Sequence, residues 1–130
     1  MNWYLDSSAI LKSIFDEKER VELLKVLTSQ SISSRISRIE VRRTAARLAP
    51  TKADVVNREL EKINFVPISN AILLAAENFP SDISLRTLDA IQVATAMSLE
   101  GSIKGLITYD KQMIVNAKAL GINVIHPGMK

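Results

Sequence analysis

Four carboxylates stand where a chain of alternating strands and helices places strand ends and helix starts: Asp6, Glu40, Asp89 and Asp110. Asp6 closes the apolar run Trp3-Tyr4-Leu5 and is followed at once by Ser7-Ser8-Ala9-Ile10-Leu11. Asp110 closes Gly105-Leu106-Ile107-Thr108-Tyr109, while Glu40 and Asp89 fall inside the helical patterns Ile36–Leu48 and Leu85–Leu99. Acids at such places can converge at one edge of a parallel sheet, where they repel one another unless a cation lies between them. Hard divalent cations, Mg²⁺ or Mn²⁺, take oxygen ligands and meet that need. Each acid also has a simpler reading. Asp6 and Asp110 can cap the helices they precede. Glu40 can pair with Arg43 or Arg47 at helical spacing, and Asp89 can answer the positive end of its own helix. The joint pattern is what points to chemistry.

The rest of the composition narrows the chemistry further. There is no cysteine, which removes disulfides, thiolate zinc sites and cysteine nucleophiles. The only histidine, His126, lies in the tail and leaves little to build a Ser-His-Asp triad. Carboxylates, hydroxyls and metal are what remain. The net charge of +3 is mild, but Arg35, Arg38, Arg42, Arg43 and Arg47 crowd a segment whose only acid is Glu40. Such a cluster can meet phosphates or form a solvated helix face. On a helix, Arg43 and Arg47 lie on the side of Glu40, and Arg86 precedes Asp89 by nearly a turn, where it can hold a phosphate or pair with a site carboxylate.

These side chains must be positioned by the elements around them. A chain of 130 residues, 47% hydrophobic, is long enough for one core, so residues 1–130 are expected to form a single domain. Strands are expected at Trp3–Leu5, Ser31–Ile36, Phe65–Ile68, Leu106–Thr108 and Asn123–Ile125. Helices are expected at Ser7–Phe15, about Glu19–Ser29, Ser37–Leu48, Lys52–Ile63, Asn70–Asn78, about Leu85–Leu99 and Lys111–Leu120. Ser7 or Ser8, Thr51 and Ser69 are available as caps. The alternation argues for an α/β sandwich with a mainly parallel central sheet of about five strands. The N-terminus reads straight into a strand without a signal-peptide pattern. No apolar run approaches the ~18 residues of a membrane span, so a cytoplasmic protein is expected.

The wording around each acid resembles a known family. Tyr4-Leu5-Asp6-Ser7-Ser8-Ala9-Ile10-Leu11-Lys12 is similar to the opening motif of PIN-domain nucleases, particularly the VapC toxins of toxin–antitoxin modules. Ser37-Arg38-Ile39-Glu40-Val41-Arg42-Arg43 resembles their second motif. The stretch from Leu85 to Ala96 resembles the third, and Ile107-Thr108-Tyr109-Asp110-Lys111 the fourth. Gln92 stands where many relatives carry histidine. The motifs occur in family order across essentially the whole chain.

The resemblance implies a PIN-like α/β/α sandwich and an endoribonuclease dependent on Mg²⁺, with Mn²⁺ as substitute and one or two ions bound. It implies Asp6, Glu40, Asp89 and Asp110 as catalytic, metal-binding acids, with Ser7 and Thr108 as supporting hydroxyls. Arg43, Arg47 and Arg86 would contact RNA. Cleavage would leave 5′-phosphate and 3′-hydroxyl ends. A cognate VapB-like antitoxin and a homodimer are implied as well. Two other classes compete. A phosphotransfer domain of the haloacid-dehalogenase type would want a second Asp two residues beyond Asp6, where Ser8 stands. A non-catalytic PIN-like domain that binds RNA or protein is the alternative, although such domains usually lack one or more of the acids retained here.

Overall fold

The computed structural model describes residues 2–27 and 30–129. Five short strands form one sheet: β1 (Asn2–Leu5), β2 (Ser31–Ser34), β3 (Ile63–Val66), β4 (Ile103–Ile107) and β5 (Val124–Ile125). Their order is β3-β2-β1-β4-β5, and every pairing is parallel. Seven α-helices among the described residues connect them: α1 (Ser7–Ile14), α2 (Arg20–Val26), α3 (Arg35–Leu48), α4 (Ala53–Glu61), α5 (Asn70–Glu77), α6 (Thr87–Ser98) and α7 (Lys111–Ala119). The expected α/β/α sandwich is the observed architecture.

Alternation along the strands divides the core between two layers. Leu5 and Ile107 face a cluster with Ala9, Ile10, Leu23, Val41, Val56 and Leu60, supplied by α1 to α4. Tyr4 and Leu106 face the opposite cluster with Val93, Met113, Ala117 and Val124, supplied by α6, α7 and β5. Because parallel strands are covered on both faces, β1 and β4 read as continuous apolar runs. Gly105 is required by close approach. A Cβ there would run into the Asn123 carbonyl oxygen and lie 2.9 Å from the Trp3 ring.

Several boundaries differ from expectation. The second strand ends at Ser34 rather than Ile36, and α3 begins at Arg35 because the Ser34 hydroxyl caps it, accepting from the Ile36 N–H at 3.2 Å. The third strand is Ile63–Val66 rather than Phe65–Ile68, since its register is set by pairing Ser31 with Ile63 through Ser34 with Val66. Thr51 lies in a 3₁₀ turn, Pro50–Lys52, and caps nothing; Ser69 does cap α5, accepting from Ile72 N–H at 3.2 Å. The expected second helix shortens to Arg20–Val26, and its expected last residues, Thr28 and Ser29, lie outside the described residues. No helix among the described residues is long and apolar enough to cross a membrane.

Candidate active site

The sheet order carries a consequence for function. From β1 the chain adds β2 and then β3 on one side, and later adds β4 and β5 on the other. The crossover direction therefore reverses between β1 and β4, and in open parallel sheets ligands bind beyond the strand ends at such a reversal. Asp6 follows β1 directly, and Asp110 lies three residues beyond the end of β4.

Asp6 is only 3% exposed. Its Oδ1 accepts the Ala9 N–H at 3.0 Å, capping α1, and the Ser8 hydroxyl at 2.7 Å; its Oδ2 accepts the Thr108 hydroxyl at 2.6 Å. Thr108 in turn accepts the Asp110 N–H at 3.2 Å, and Ser8 accepts the Tyr109 N–H at 3.0 Å. The ends of β1 and β4 are thus stitched together through one carboxylate. Capping of α1 falls to Asp6 itself rather than to Ser7 or Ser8. The hydroxyl beside Asp6 is that of Ser8, not Ser7, because successive helical residues are rotated about 100° around the axis.

Burial raises the Asp6 pKa from 3.8 to about 6, against the lowering effect of its hydrogen bonds to Thr108, Ser8 and Ala9, and Asp110 adds to the rise. Asp89, the third residue of α6, is half-buried, and its pKa is raised by burial, then by the charges of Asp110 and Glu40, with Arg86 opposing. These couplings link the four acids as a chain: Asp110 acts on both Asp6 and Asp89, and Glu40 acts on Asp89. Asp110 Oδ1 is engaged as the cap of α7, accepting the Met113 N–H at 2.9 Å. The capping readings of Asp6 and Asp110 are therefore correct, and they leave each acid at the strand-end rim.

The acids suit a hard divalent cation by donor type and by electrostatics. An ionised carboxylate has about four lone-pair positions, and three of those on Asp6 are filled. A buried acid pushed toward its neutral form, beside a third acid raised by two others and only partly offset by Arg86, would be relieved by a further positive charge. Among the described residues no three of these acids are gathered closely enough to clasp an ion unaided. An ion held by Asp6, Glu40, Asp89 and Asp110 would therefore reach some of them through water or after side-chain movement.

Of the expected basic residues, Arg86 acts on the acids, its charge opposing the rise at Asp89. Arg43 and Arg47 are exposed on α3, and among the described residues no acid within ion-pair distance holds either. Arg42 donates to Asn57 Oδ1 at 2.7 Å, and Arg38 lies 5.8 Å from the centre of the Phe65 ring, so these two are engaged in the fold. Arg86 is the exposed residue preceding α6. Glu40 is not paired with Arg43 or Arg47. Its Oε1 instead accepts from Gln92 Nε2 at 3.2 Å. Sequence reasoning named neither Ser8 nor Gln92 as a site residue. A signal for Gln92 was present, since a lone amide amid the small and apolar run Ala90–Ala96 must find buried partners.

A strand-end rim of acids on an all-parallel five-stranded sheet is the class of protein this molecule represents. Residues 3–119 match the PIN domain family, and the chain belongs to it. It is 37% identical over 127 residues to "Ribonuclease VapC46" of Mycobacterium tuberculosis (strain ATCC 25618 / H37Rv), covering 95% of this chain and 96% of the relative. It is 29% identical over 132 residues to "Ribonuclease VapC47" of M. tuberculosis (strain CDC 1551 / Oshkosh), with 96% of each chain covered. Among solved structures, a toxin-antitoxin complex from Klebsiella pneumoniae shares the fold with a TM-score of 0.78 at 21% identity, covering 97% of this chain and 98% of that one.

Proposed function

We propose that this protein is a Mg²⁺- or Mn²⁺-dependent endoribonuclease and the toxin of a VapBC-type toxin–antitoxin pair, acting in the cytoplasm. The single observation that carries the reading is Asp6: a carboxylate 3% exposed, fixed by three hydrogen bonds at the sheet's reversal point and coupled to further acids. The ribonuclease names of the two relatives support it.

Asp6, Glu40, Asp89 and Asp110 would hold the metal, as one or two ions. When bound, a divalent ion supplies charge neutralisation at the scissile phosphate and lowers the pKa of water. The chain's own residues do the remainder. Thr108 and Ser8 keep Asp6 in one rotamer, so the carboxylate would meet an ion without reorganisation. Asp110, tied by Oδ1 to its helix, has Oδ2 left to offer. Arg43, Arg47 and Arg86 would grip phosphates on either side of the cut, leaving 5′-phosphate and 3′-hydroxyl ends. The partners we infer are RNA, a VapB-like antitoxin and a second copy of the toxin. Val21 and Leu24 on α2, 64% and 41% exposed, offer an apolar surface for the antitoxin.

The test incubates purified, antitoxin-free protein with total RNA and Mg²⁺ or Mn²⁺, beside Asp6→Asn and EDTA controls. Discrete fragments are expected only for wild type with metal, and their 3′ ends should ligate to an adaptor without prior phosphatase treatment. No cleavage with either metal would replace this reading with that of a binding domain. Cleavage by Asp6→Asn at the wild-type rate would refute the assignment of the site.

A further inference from the structure

Gln92 is 1% exposed, in the middle of a helix segment, Ala90–Ala96, that is buried on every side. A buried primary amide must satisfy a carbonyl oxygen and an NH₂ group. The Tyr4 hydroxyl donates to Gln92 Oε1 at 2.5 Å, while Gln92 Nε2 donates to Ser37 Oγ at 2.5 Å and to Glu40 Oε1 at 3.2 Å. The amide can be seated either way round by shape alone, and its partners decide. The Glu40 carboxylate oxygen accepts and takes the NH₂ group, which leaves the amide oxygen to accept from the Tyr4 hydroxyl.

Tyr4 lies two residues before Asp6 on the central strand β1. The path Tyr4, Gln92, Glu40 thus refers the carboxylate on α3 to the strand that ends in Asp6. We propose that Gln92 is a positioning residue that sets the Glu40 carboxylate relative to Asp6, with the Tyr4 hydroxyl anchoring the oxygen end of the amide. The inference rests on Glu40 belonging to the metal site. Without Gln92, Glu40 would keep its place on α3 but lose the hydrogen bond from the Gln92 amide.

The test measures Mn²⁺ binding to the full chain by electron paramagnetic resonance, independently of cleavage. Gln92→Met keeps the length and removes both polar ends. It is expected to weaken Mn²⁺ binding about tenfold, the scale typical when a partner of a metal ligand is removed. In a Glu40→Ala background the same substitution should cause almost no further loss, because it acts through Glu40. A merely structural effect would appear equally in both backgrounds. Tyr4→Phe leaves Gln92 in place but frees the amide to turn, and should give a smaller loss with the same dependence on Glu40. Should Gln92→Met fail to fold by circular dichroism, Tyr4→Phe decides. Unchanged Mn²⁺ affinity in the folded variant, or equal losses with and without Glu40, overturns the proposal while wild-type binding keeps the metal site. Wild-type protein that neither binds Mn²⁺ nor cleaves RNA with metal overturns the metal-site reading, and this proposal with it.

Discussion

Replacing Asp6 by asparagine should stabilise the metal-free protein above neutral pH while abolishing its activity. Burial lifts the Asp6 pKa from 3.8 to about 6 in the folded state. Folding therefore loses stability as pH rises through that window, because the unfolded chain releases the proton first. Two units correspond to about 3 kcal/mol, fully imposed above about pH 7 and absent below about pH 4. Asparagine escapes this penalty and keeps an oxygen for the Ala9 N–H and the Ser8 hydroxyl. It loses the acceptor for Thr108, whose hydroxyl must turn, at about 1 kcal/mol. The electrostatic effect is the larger, so a net gain of about 2 kcal/mol is expected at about pH 7.5, reversing to a slight loss at about pH 4. Urea denaturation in EDTA at the two pH values measures it as a midpoint shift at constant slope. Added Mn²⁺ should then stabilise wild type and leave the variant unmoved, since only wild type offers it the carboxylate. An Asp6→Asn protein less stable than wild type by the same margin at both pH values would refute the reasoning.

Three further outcomes are expected. Thr108→Val removes the hydroxyl that donates to Asp6 and accepts from Asp110 N–H, so stability should fall by about 1–2 kcal/mol. The Asp6 pKa should move further up, and titration of Mn²⁺ binding against pH should show its midpoint displaced upward. Arg43→Ala combined with Arg47→Ala should weaken RNA binding, lowering the slope of log affinity against log salt by about 1.4 if both grip a single strand; an unchanged slope returns them to a solvated helix face. Gly105→Ala should cost at least about 2 kcal/mol in denaturant unfolding, because a methyl group there collides with the Asn123 backbone, which cannot swing aside as a side chain can.

The acids were legible in the sequence for the same reason the fold was. A strand buried on both faces is an apolar run, and the first polar residue after it marks where the chain leaves the sheet. Asp6 is such a residue, and Asp110 follows β4 by three residues, after Thr108 and Tyr109, so locating the two strands placed both acids near their ends. Boundaries set by pairing were less legible. Asn64 falls between the expected helix ending at Ile63 and the expected strand starting at Phe65, yet it lies in β3 opposite Ile32, because ladder hydrogen bonds outweigh the preference of one side chain. The serines of β2 fall in an expected strand yet are buried although polar, for the Ser33 hydroxyl donates to the Leu5 carbonyl at 2.5 Å and Ser34 Oγ accepts the Ile36 N–H. On α6 Leu88, Ile91 and Leu99 stand at helical spacing, yet Leu88 is 47% exposed whereas every residue from Ala90 to Ala96 is buried. A helix covered all round has no stripe, so periodicity could not single out Gln92.

Asp6 shows why the structural and the chemical readings of one acid need not compete. A carboxylate at an N-cap is held in one rotamer by the helix it begins, and the positive end of that helix favours its ionised form. Capping uses one oxygen position and leaves others for a ligand. Desolvation then raises the cost of that ionised form beyond what the cap and the two hydroxyls recover, as the upward pKa shift records. A residue selected for folding alone would be better served here by asparagine or serine, which cap without the charge. A charged cap at this buried place costs stability that asparagine would not, and a cation at the rim, as proposed, would relieve that cost.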